Sequence, residues 1–202
     1  MYTVIGNPKT RALRVIWMLE ELGLDYSIKP LDPRHDEVLA SNPSGKIPLL
    51  VDEGATLMDS VAIVTYLADK HNALTMRAGT IPRALQDSFT QFCVDEVEGA
   101  LWTAAKNSFL HPLEVRVPQI RAVCEMELAR AMATLSTRLG DQEYVMGGAF
   151  TVPDLLLGHC GSWAQRGNFE IAPENVVAYI GRILARPAYR AALERAKAVL
   201  AA

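Results

Sequence analysis

The length, composition and charge of the chain limit what it can be. Its 202 residues are half hydrophobic, which is enough for one large domain or two small ones with a sizeable core. The formal net charge of −3 gives no basic excess for a phosphate backbone, so nucleic acid is not an expected partner. No apolar run approaches about 18 residues and no basic, apolar leader precedes the first strand, so we expect no membrane span and a cytoplasmic protein.

The first 76 residues predict alternating strands and helices. Residues 2–6 predict a short buried strand that Asn7-Pro8 ends, and residues 10–22 predict a helix that ends at Gly23, a typical C-cap residue. The later elements are a strand at 26–28, a short helix at 35–41, a hairpin of strands at 47–51 and 56–58, and a helix at 60–70. This β-α-β-α-β-β-α order is that of the α/β thioredoxin-like fold, which we assign to residues 1–76.

Beyond a linker at residues 77–82, the sequence predicts helices alone. These helices are expected at 83–110, 118–139, from 151 onwards, 173–185 and 187–200. Thr151 and Asp154 have the spacing of a capping box, and Phe150 and Leu155 are placed as a hydrophobic staple, so the third helix has a defined start. We therefore expect an all-α helical domain at residues 83–202 after the thioredoxin-like domain.

The cysteines and histidines show no spacing typical of ligands. Cys93, Cys124 and Cys160 are odd in number and far apart, without a Cys-x-x-Cys pair, which indicates neither a disulfide framework nor a zinc site. We interpret them as buried helix residues in a reducing compartment. Since the chain also has no Gly-rich phosphate loop, we expect no metal, nucleotide or other bound cofactor.

The most informative segment is residues 42–48, followed by Asp59-Ser60 at the start of a helix. Pro48 has no N–H, and a cis Ile47–Pro48 bond would turn the Ile47 backbone outward, where it can pair with an extended ligand. Asp59 can pair with an amine. Ser60 can cap the helix and, with the free N–H groups behind it, bind a carboxylate. The pattern predicts a site for a small anionic peptide.

Together these residues resemble the glutathione transferase family. The matching segments are Arg14-Val15-x-Trp17-x-Leu19-Glu20-Glu21-Leu22-Gly23, Asn42-Pro43-x-Gly45-Lys46-Ile47-Pro48-x-Leu50, Asp59-Ser60, Phe150-Thr151-x-x-Asp154 and Arg182-x-x-x-Arg186-Pro187-Ala188-Tyr189. Each segment alone is common, but their order and spacing match over nearly the whole chain. The resemblance implies a thioredoxin-like domain followed by an all-helical domain, in a homodimer that binds glutathione.

The resemblance also implies roles for individual residues. The Ile47 backbone, shaped by Pro48, is expected to pair with the cysteinyl part of glutathione. Asp59 and Ser60 are expected to bind its γ-glutamyl end. Its glycine carboxylate is expected to face two basic residues, Lys46 and His35.

Catalysis in such a protein means lowering the pKa of the glutathione thiol, which is ordinarily about 8.5. A hydroxyl at the start of the first helix can do so by hydrogen bonding and through the helix dipole. The family usually has Tyr, Ser or Cys there, whereas this chain reads Gly6-Asn7-Pro8-Lys9-Thr10-Arg11. Thr10 is the best hydroxyl and also sits where an N-cap is expected. An ungapped match through Arg14-Val15 instead places Lys9 at the position of the serine in serine-type members of the family, and a lysine ammonium can stabilise a thiolate by its charge. Asn7 and Arg11 are weaker candidates.

The resemblance therefore predicts a detoxifying enzyme whose activated glutathione attacks an electrophilic carbon or a hydroperoxide. The small hydrophobic electrophile is expected to lie between the domains against the helix at 83–110, where Trp102, Phe109 and Leu110 are candidates. Because the usual Ser, Cys or Tyr is missing, the alternative is a glutathione-binding protein with little turnover, in a binding, stress-response or structural role. A glutaredoxin-type oxidoreductase is disfavoured, since residues 7–10 contain no Cys-x-x-Cys.

Overall fold

A four-stranded sheet is the centre of the N-terminal part of the computed structural model, which describes residues 1–201. Its strands are β1 (Tyr2–Ile5), β2 (Tyr26–Lys29), β3 (Leu49–Asp52) and β4 (Ala55–Met58), in the spatial order β2-β1-β3-β4. Strand β1 pairs in parallel with β2 and antiparallel with β3, and β3 and β4 form the predicted hairpin. The predicted thioredoxin-like fold is confirmed.

Three helices accompany the sheet, and they agree with the predicted ones within two residues at each end. They are α1 (Ala12–Glu21), α2 (Asp36–Ser41) and α3 (Ser60–Lys70). Helix α1 is buried from Ala12 to Leu19, because it packs against both β1 and α3. This burial holds the N-terminal ends of α1 and α3 in fixed positions beside the sheet.

The chain divides into two compact units. One contains residues 1–75 and the C-terminal segment that begins at Ala185, and the other contains residues 76–184. The elements of the second unit are all helical: α4 (Ile81–Phe92), a π-helical segment (Cys93–Glu98), α5 (Gly99–Ala105), a second π-helical segment (Lys106–Leu110), a 3₁₀ turn (Leu113–Val115), α6 (Ile120–Leu139), α7 (Val152–Arg166) and α8 (Glu174–Leu184). The first four follow one another without a break, as the predicted helix at 83–110 requires.

The last helix, α9 (Pro187–Ala201), belongs to the first unit, whereas the predicted division places it in a helical domain at 83–202. It packs against α1, and the Tyr189 ring lies 4.6 Å from the Trp17 ring. The Arg186 guanidinium donates through Nε and Nη2 to the two carboxylate oxygens of Glu21, at 2.7 Å each. Helical periodicity predicts that a helix forms, but it does not say which core the apolar face covers.

The predicted capping box at the start of α7 is confirmed. The Thr151 N–H and hydroxyl donate to Asp154 Oδ2, at 2.8 and 2.9 Å. The other oxygen, Oδ1, accepts from the Val145 N–H at 3.0 Å and from the Tyr179 hydroxyl at 2.7 Å. Burial raises the pKa of Asp154, although these hydrogen bonds act in the opposite direction. One carboxylate therefore joins the turn before α7, the helix itself and α8.

Candidate functional site

The cis-proline loop runs from Asn42 to Pro48, immediately before β3. The Ile47–Pro48 peptide bond is cis, as predicted. Asn42 is buried and its Nδ2 donates to the carbonyl oxygen of Lys46 at 2.9 Å, while its Oδ1 accepts from the Ser44 N–H and hydroxyl at 3.1 and 2.9 Å. These bonds explain the Asn-Pro signature, because the Asn42 side chain closes the loop. The Lys46 side chain remains exposed.

The start of α3 differs from the prediction in one respect. Asp59, not Ser60, is the N-cap, since Asp59 Oδ1 accepts from the N–H groups of Val61 and Ala62 at 2.8 and 3.1 Å. The Asp59 backbone has a positive φ of 73°, which is uncommon for a residue other than glycine. Ser60 is therefore the first helical residue, and two of the N–H groups expected for a ligand carboxylate are occupied by the cap.

A buried arginine lies directly beside Ser60. Arg14, in the first turn of α1, is wholly buried, and its Nη1 donates to the Ser60 hydroxyl oxygen at 3.3 Å. Because the hydroxyl oxygen accepts from Arg14, its own proton is available to donate elsewhere. The one sequence signal for this contact is that Arg14 is a charged residue in a stretch of eight buried residues, Ala12 to Leu19, that is otherwise apolar. An amphipathic helix does not need a charged residue on its buried face. The guanidinium and the N-terminus of α3 both favour a negative charge at this point.

The junction between β1 and α1 lies against the cis-proline loop. A Cβ atom at Gly6 would come within 3.1 Å of Ile47 Cβ, and the Gly6 φ of 146° is one that side chains rarely adopt. Gly6 thus lets the backbone of the junction approach Ile47 closely. The structure therefore brings together two of the predicted site segments, the candidate catalytic junction and the loop expected to hold the cysteinyl group.

The two catalytic candidates have different surroundings. The Thr10 hydroxyl donates to the Asn7 carbonyl oxygen at 2.7 Å, and its oxygen accepts from the Ala12 N–H at 3.3 Å. The N-cap position itself is Arg11, one residue later than predicted, and it provides no capping hydrogen bond. The Lys9 side chain is exposed, and its backbone N–H donates to Asn7 Oδ1 at 3.0 Å.

His35 has a structural contact that the sequence did not predict. It is the N-cap of α2, and its Nδ1 accepts from the Glu37 N–H at 3.3 Å. The imidazole side chain is exposed next to the two acidic residues of the first helical turn. The contact leaves Nε2 as the ring nitrogen for any other partner.

The residues predicted for the electrophile lie in the second unit. Trp102 is half-buried, with its ring edge-on to that of Trp163 at 6.3 Å between ring centroids. Phe109 and Leu110 are in the second π-helical segment, with 65% and 49% of their surfaces exposed. Large apolar side chains in contact with water at the end of a helix are available to an apolar ligand.

The three cysteines are buried, as predicted. Sγ of Cys93 and Sγ of Cys160 lie 3.9 Å apart, and burial raises the pKa of the Cys124 thiol. Over residues 1–201 no group of three or more acidic, histidine or cysteine side chains is arranged to hold a metal ion. In the same stretch, no helix is both long enough and apolar enough for a membrane span.

Fold and local geometry together define a thioredoxin-like domain whose cis-proline loop lies against the β1–α1 junction. Residues 10–70 match the family model of the glutathione S-transferase N-terminal domain. Glutathione S-transferase 1 of Schizosaccharomyces pombe is 28% identical over 214 residues, which cover 92% of this chain and 92% of the relative.

Solved structures of glutathione transferases are similar over almost the whole chain. The Phanerochaete chrysosporium enzyme URE2P6, in complex with oxidized glutathione, is 27% identical with a TM-score of 0.84, covering 98% of this chain and 97% of the other. URE2P8 from the same organism, at 22% identity, shares the fold with a TM-score of 0.87 over 100% and 97% of the two chains. The family match at residues 10–70 and relatives that cover nearly the whole chain support a glutathione S-transferase family protein, a transferase enzyme.

Proposed function

We propose that the protein is a glutathione transferase that activates the glutathione thiol for attack on an electrophilic carbon or on a hydroperoxide. The observation that carries the proposal is the convergence of three segments in one unit. Ile47 lies against Gly6 at the β1–α1 junction, and the buried Arg14 of α1 donates to Ser60 at the start of α3. A thiol peptide bound along this line would have its carboxylate at a positive helix end and its sulfur near the start of α1.

The γ-glutamyl end is assigned to the start of α3. Its carboxylate would accept from the Ser60 hydroxyl, whose oxygen already accepts from Arg14 Nη1. Its amine would pair with Asp59, because both capping bonds end on Oδ1 and a carboxylate has a second oxygen to offer. The Ile47 backbone would pair with the cysteinyl part, and the glycine carboxylate would face Lys46, with His35 as the second candidate.

Thiol activation is assigned first to Thr10, with Lys9 as the alternative. The Thr10 hydroxyl proton is directed at the Asn7 carbonyl, so donation to sulfur requires the hydroxyl to turn from that oxygen when glutathione binds. Lys9 would act differently, as an exposed positive charge near the thiolate. Glutathione is the cosubstrate in this scheme, and the chemistry requires no other cofactor.

The electrophile is proposed to be small and hydrophobic. Phe109 and Leu110 offer exposed apolar surface, and Trp102 offers a half-buried indole. Such a reaction would serve detoxification in the cytoplasm.

Turnover assays test the proposed function directly. We expect wild-type protein to conjugate glutathione to at least one member of a panel of aryl halides, epoxides and unsaturated carbonyls, or to reduce an organic hydroperoxide. Glutathione affinity is measured on the same preparation by calorimetry. Binding without turnover on the whole panel would favour the alternative, a glutathione-binding protein, and absence of binding would contradict both.

Ser60→Ala is expected to weaken glutathione binding by about 1–3 kcal/mol, because a hydrogen bond to the charged γ-glutamyl carboxylate is lost. Calorimetry with wild type and variant measures the difference. The matched control is Ser41→Ala, an exposed serine at the end of α2, which should bind normally. Thermal unfolding checks that the Ser60 variant is folded, since Arg14 loses a contact in it. Unchanged affinity in a folded Ser60→Ala protein would contradict the assignment.

We also propose a homodimer, on the family resemblance. Light scattering at micromolar concentration is expected to give about twice the chain mass of 22.1 kDa. A mass equal to that of one chain at this concentration would exclude a stable dimer.

A further inference from the structure

The end of the second π-helical segment is bound by the side chain of Arg116. This residue lies in the loop that follows the segment, and it donates through three nitrogen atoms to three backbone carbonyl oxygens. Its Nε donates to that of His111 at 2.7 Å, its Nη1 to that of Ser108 at 3.0 Å and its Nη2 to that of Phe109 at 3.1 Å. The last carbonyl groups of a helix have no partner within it, and a cation there interacts favourably with the helix dipole. Arg116 therefore caps this segment from the following loop.

Residues 111–117, the return loop, are folded back onto the segment by these contacts. Asn107 adds a second connection, because its Oδ1 accepts from the Val117 N–H at 3.0 Å. Its Nδ2 donates to the Thr103 carbonyl oxygen at 3.0 Å, so the amide group is held in one orientation. Arg116 and Asn107 together join the return loop to the segment.

Burial of apolar side chains does not hold this region in place. None of the residues from Lys106 to Leu110 is buried, and Phe109 and Leu110 are exposed. The return loop carries three more exposed apolar side chains, Leu113, Val115 and Val117. Helical segments in proteins are normally stabilised by packing of an apolar face, so here the hydrogen bonds of a half-buried guanidinium have that role. The bond to the Phe109 carbonyl acts directly on a residue assigned to the electrophile.

We propose that Arg116 is a positioning residue for the electrophile, which holds the apolar surface of Phe109 and Leu110 where an apolar group on the glutathione sulfur can bind. The inference rests on the proposed function, because it concerns the electrophile end of the same site. Electrophiles with an extended alkyl or aryl group depend on this surface most, since the free energy of burial grows with apolar area. The three Arg116 bonds end within residues 108–111 of the second unit, so the glutathione residues of the first unit are expected to be unaffected by its loss.

The test compares glutathione with S-hexylglutathione, which has the same peptide and a hexyl chain on its sulfur. Arg116→Met removes the guanidinium and keeps a side chain of similar length. By calorimetry, we expect this variant to bind S-hexylglutathione about four- to fifteenfold more weakly, which corresponds to about one or two methylene groups that are no longer buried. Its affinity for glutathione should equal that of wild type.

Three further variants show whether Arg116 acts through the exposed apolar residues. Arg116→Lys keeps the charge and loses the planar fork that reaches three carbonyl groups, so its S-hexylglutathione affinity should lie between those of wild type and Arg116→Met. Arg130→Met removes an exposed arginine of α6 and should leave both affinities unchanged. In a protein that already carries Phe109→Ala and Leu110→Ala, adding Arg116→Met should cost no further affinity, because the surface that it positions is gone.

Each outcome separates this inference from the proposed function. Unchanged S-hexylglutathione affinity in an Arg116→Met protein that thermal unfolding shows to be folded would overturn it, and if that variant does not fold, Arg116→Lys decides in the same way. An equal loss for both ligands would overturn it too, because the effect would not concern the electrophile end. So would a full loss in the protein without the Phe109 and Leu110 side chains.

The wild type supplies the remaining comparison. A wild type that binds glutathione but gains no affinity from the hexyl chain would overturn this inference and leave the glutathione assignments in place. A wild type that binds neither ligand would contradict the proposed function and this inference together.

Discussion

Replacing Asp154 by alanine is expected to lower the free energy of unfolding by about 3–5 kcal/mol, because the buried carboxylate accepts four hydrogen bonds. Alanine would leave the N–H groups of Val145 and Thr151 and the Tyr179 hydroxyl buried without this partner. Since domains are stable by only about 5–15 kcal/mol, such a loss is a large part of the total. Chemical denaturation of wild type and variant measures it.

Smaller changes at the same place should have smaller effects. Tyr179→Phe removes one of the four donors and is expected to cost about 1 kcal/mol. Asp154→Asn keeps one acceptor oxygen but turns an NH₂ group towards buried donors. Its loss of unfolding free energy should therefore lie between those of Tyr179→Phe and Asp154→Ala. Asp141→Ala, at an exposed position after α6, should change stability by less than about 0.5 kcal/mol. Unfolding of Asp154→Ala at the same denaturant concentration as this exposed control would contradict a stabilising role of the buried carboxylate.

Thr10→Val is expected to lower kcat by about tenfold to a hundredfold while glutathione affinity changes little. A thiol pKa lowered by about two units corresponds to about 2.7 kcal/mol, and removing the hydroxyl donor would lose a large share of it. The bound thiol should then titrate at higher pH, so the pH midpoint of kcat/KM should move upwards. Valine nearly conserves the shape of threonine, and both are stiff at χ1. Ultraviolet titration of the thiolate in the complex measures the pKa.

Lys9→Met is the matched variant for the other candidate. It removes the exposed ammonium and keeps a side chain of similar length. If the low thiol pKa disappears in Lys9→Met and persists in Thr10→Val, the ammonium is the activating group and Thr10 is the wrong choice. If it persists in both, with turnover intact, the backbone N–H groups at the start of α1 hold the thiolate.

The cis-proline loop could be predicted from the sequence because its signals are local. The Asn-Pro turn, Gly45 and Ile-Pro act within a few residues, and the structure has the cis bond and the Asn42 hydrogen bonds that close this loop. The capping box at Thr151 and Asp154 is equally local, and helix α3 has the predicted bounds of 60–70.

Which residues contact each other across long stretches of sequence was shown only by the tertiary structure. Aspartate and serine are both good caps, and the structure has Asp59 at the N-cap of α3 with Ser60 as the first helical residue. Contacts such as Arg14 with Ser60, or Arg34 with Gly45, join residues whose spacing follows no helical or strand period. Likewise, the sequence predicted helix α9 but not that it packs against α1.

The sequence by itself determined the secondary-structure elements, the cis-proline loop and the resemblance to glutathione transferases, because each rests on local conformational preference or on the order of motifs. Only the tertiary structure showed that α9 packs on α1, that the buried Arg14 donates to the Ser60 hydroxyl, and that the Thr10 hydroxyl donates to the Asn7 carbonyl. These depend on which surfaces meet once apolar faces are buried. An amphipathic pattern says only that a face must be covered, and the packing of the whole unit selects what covers it.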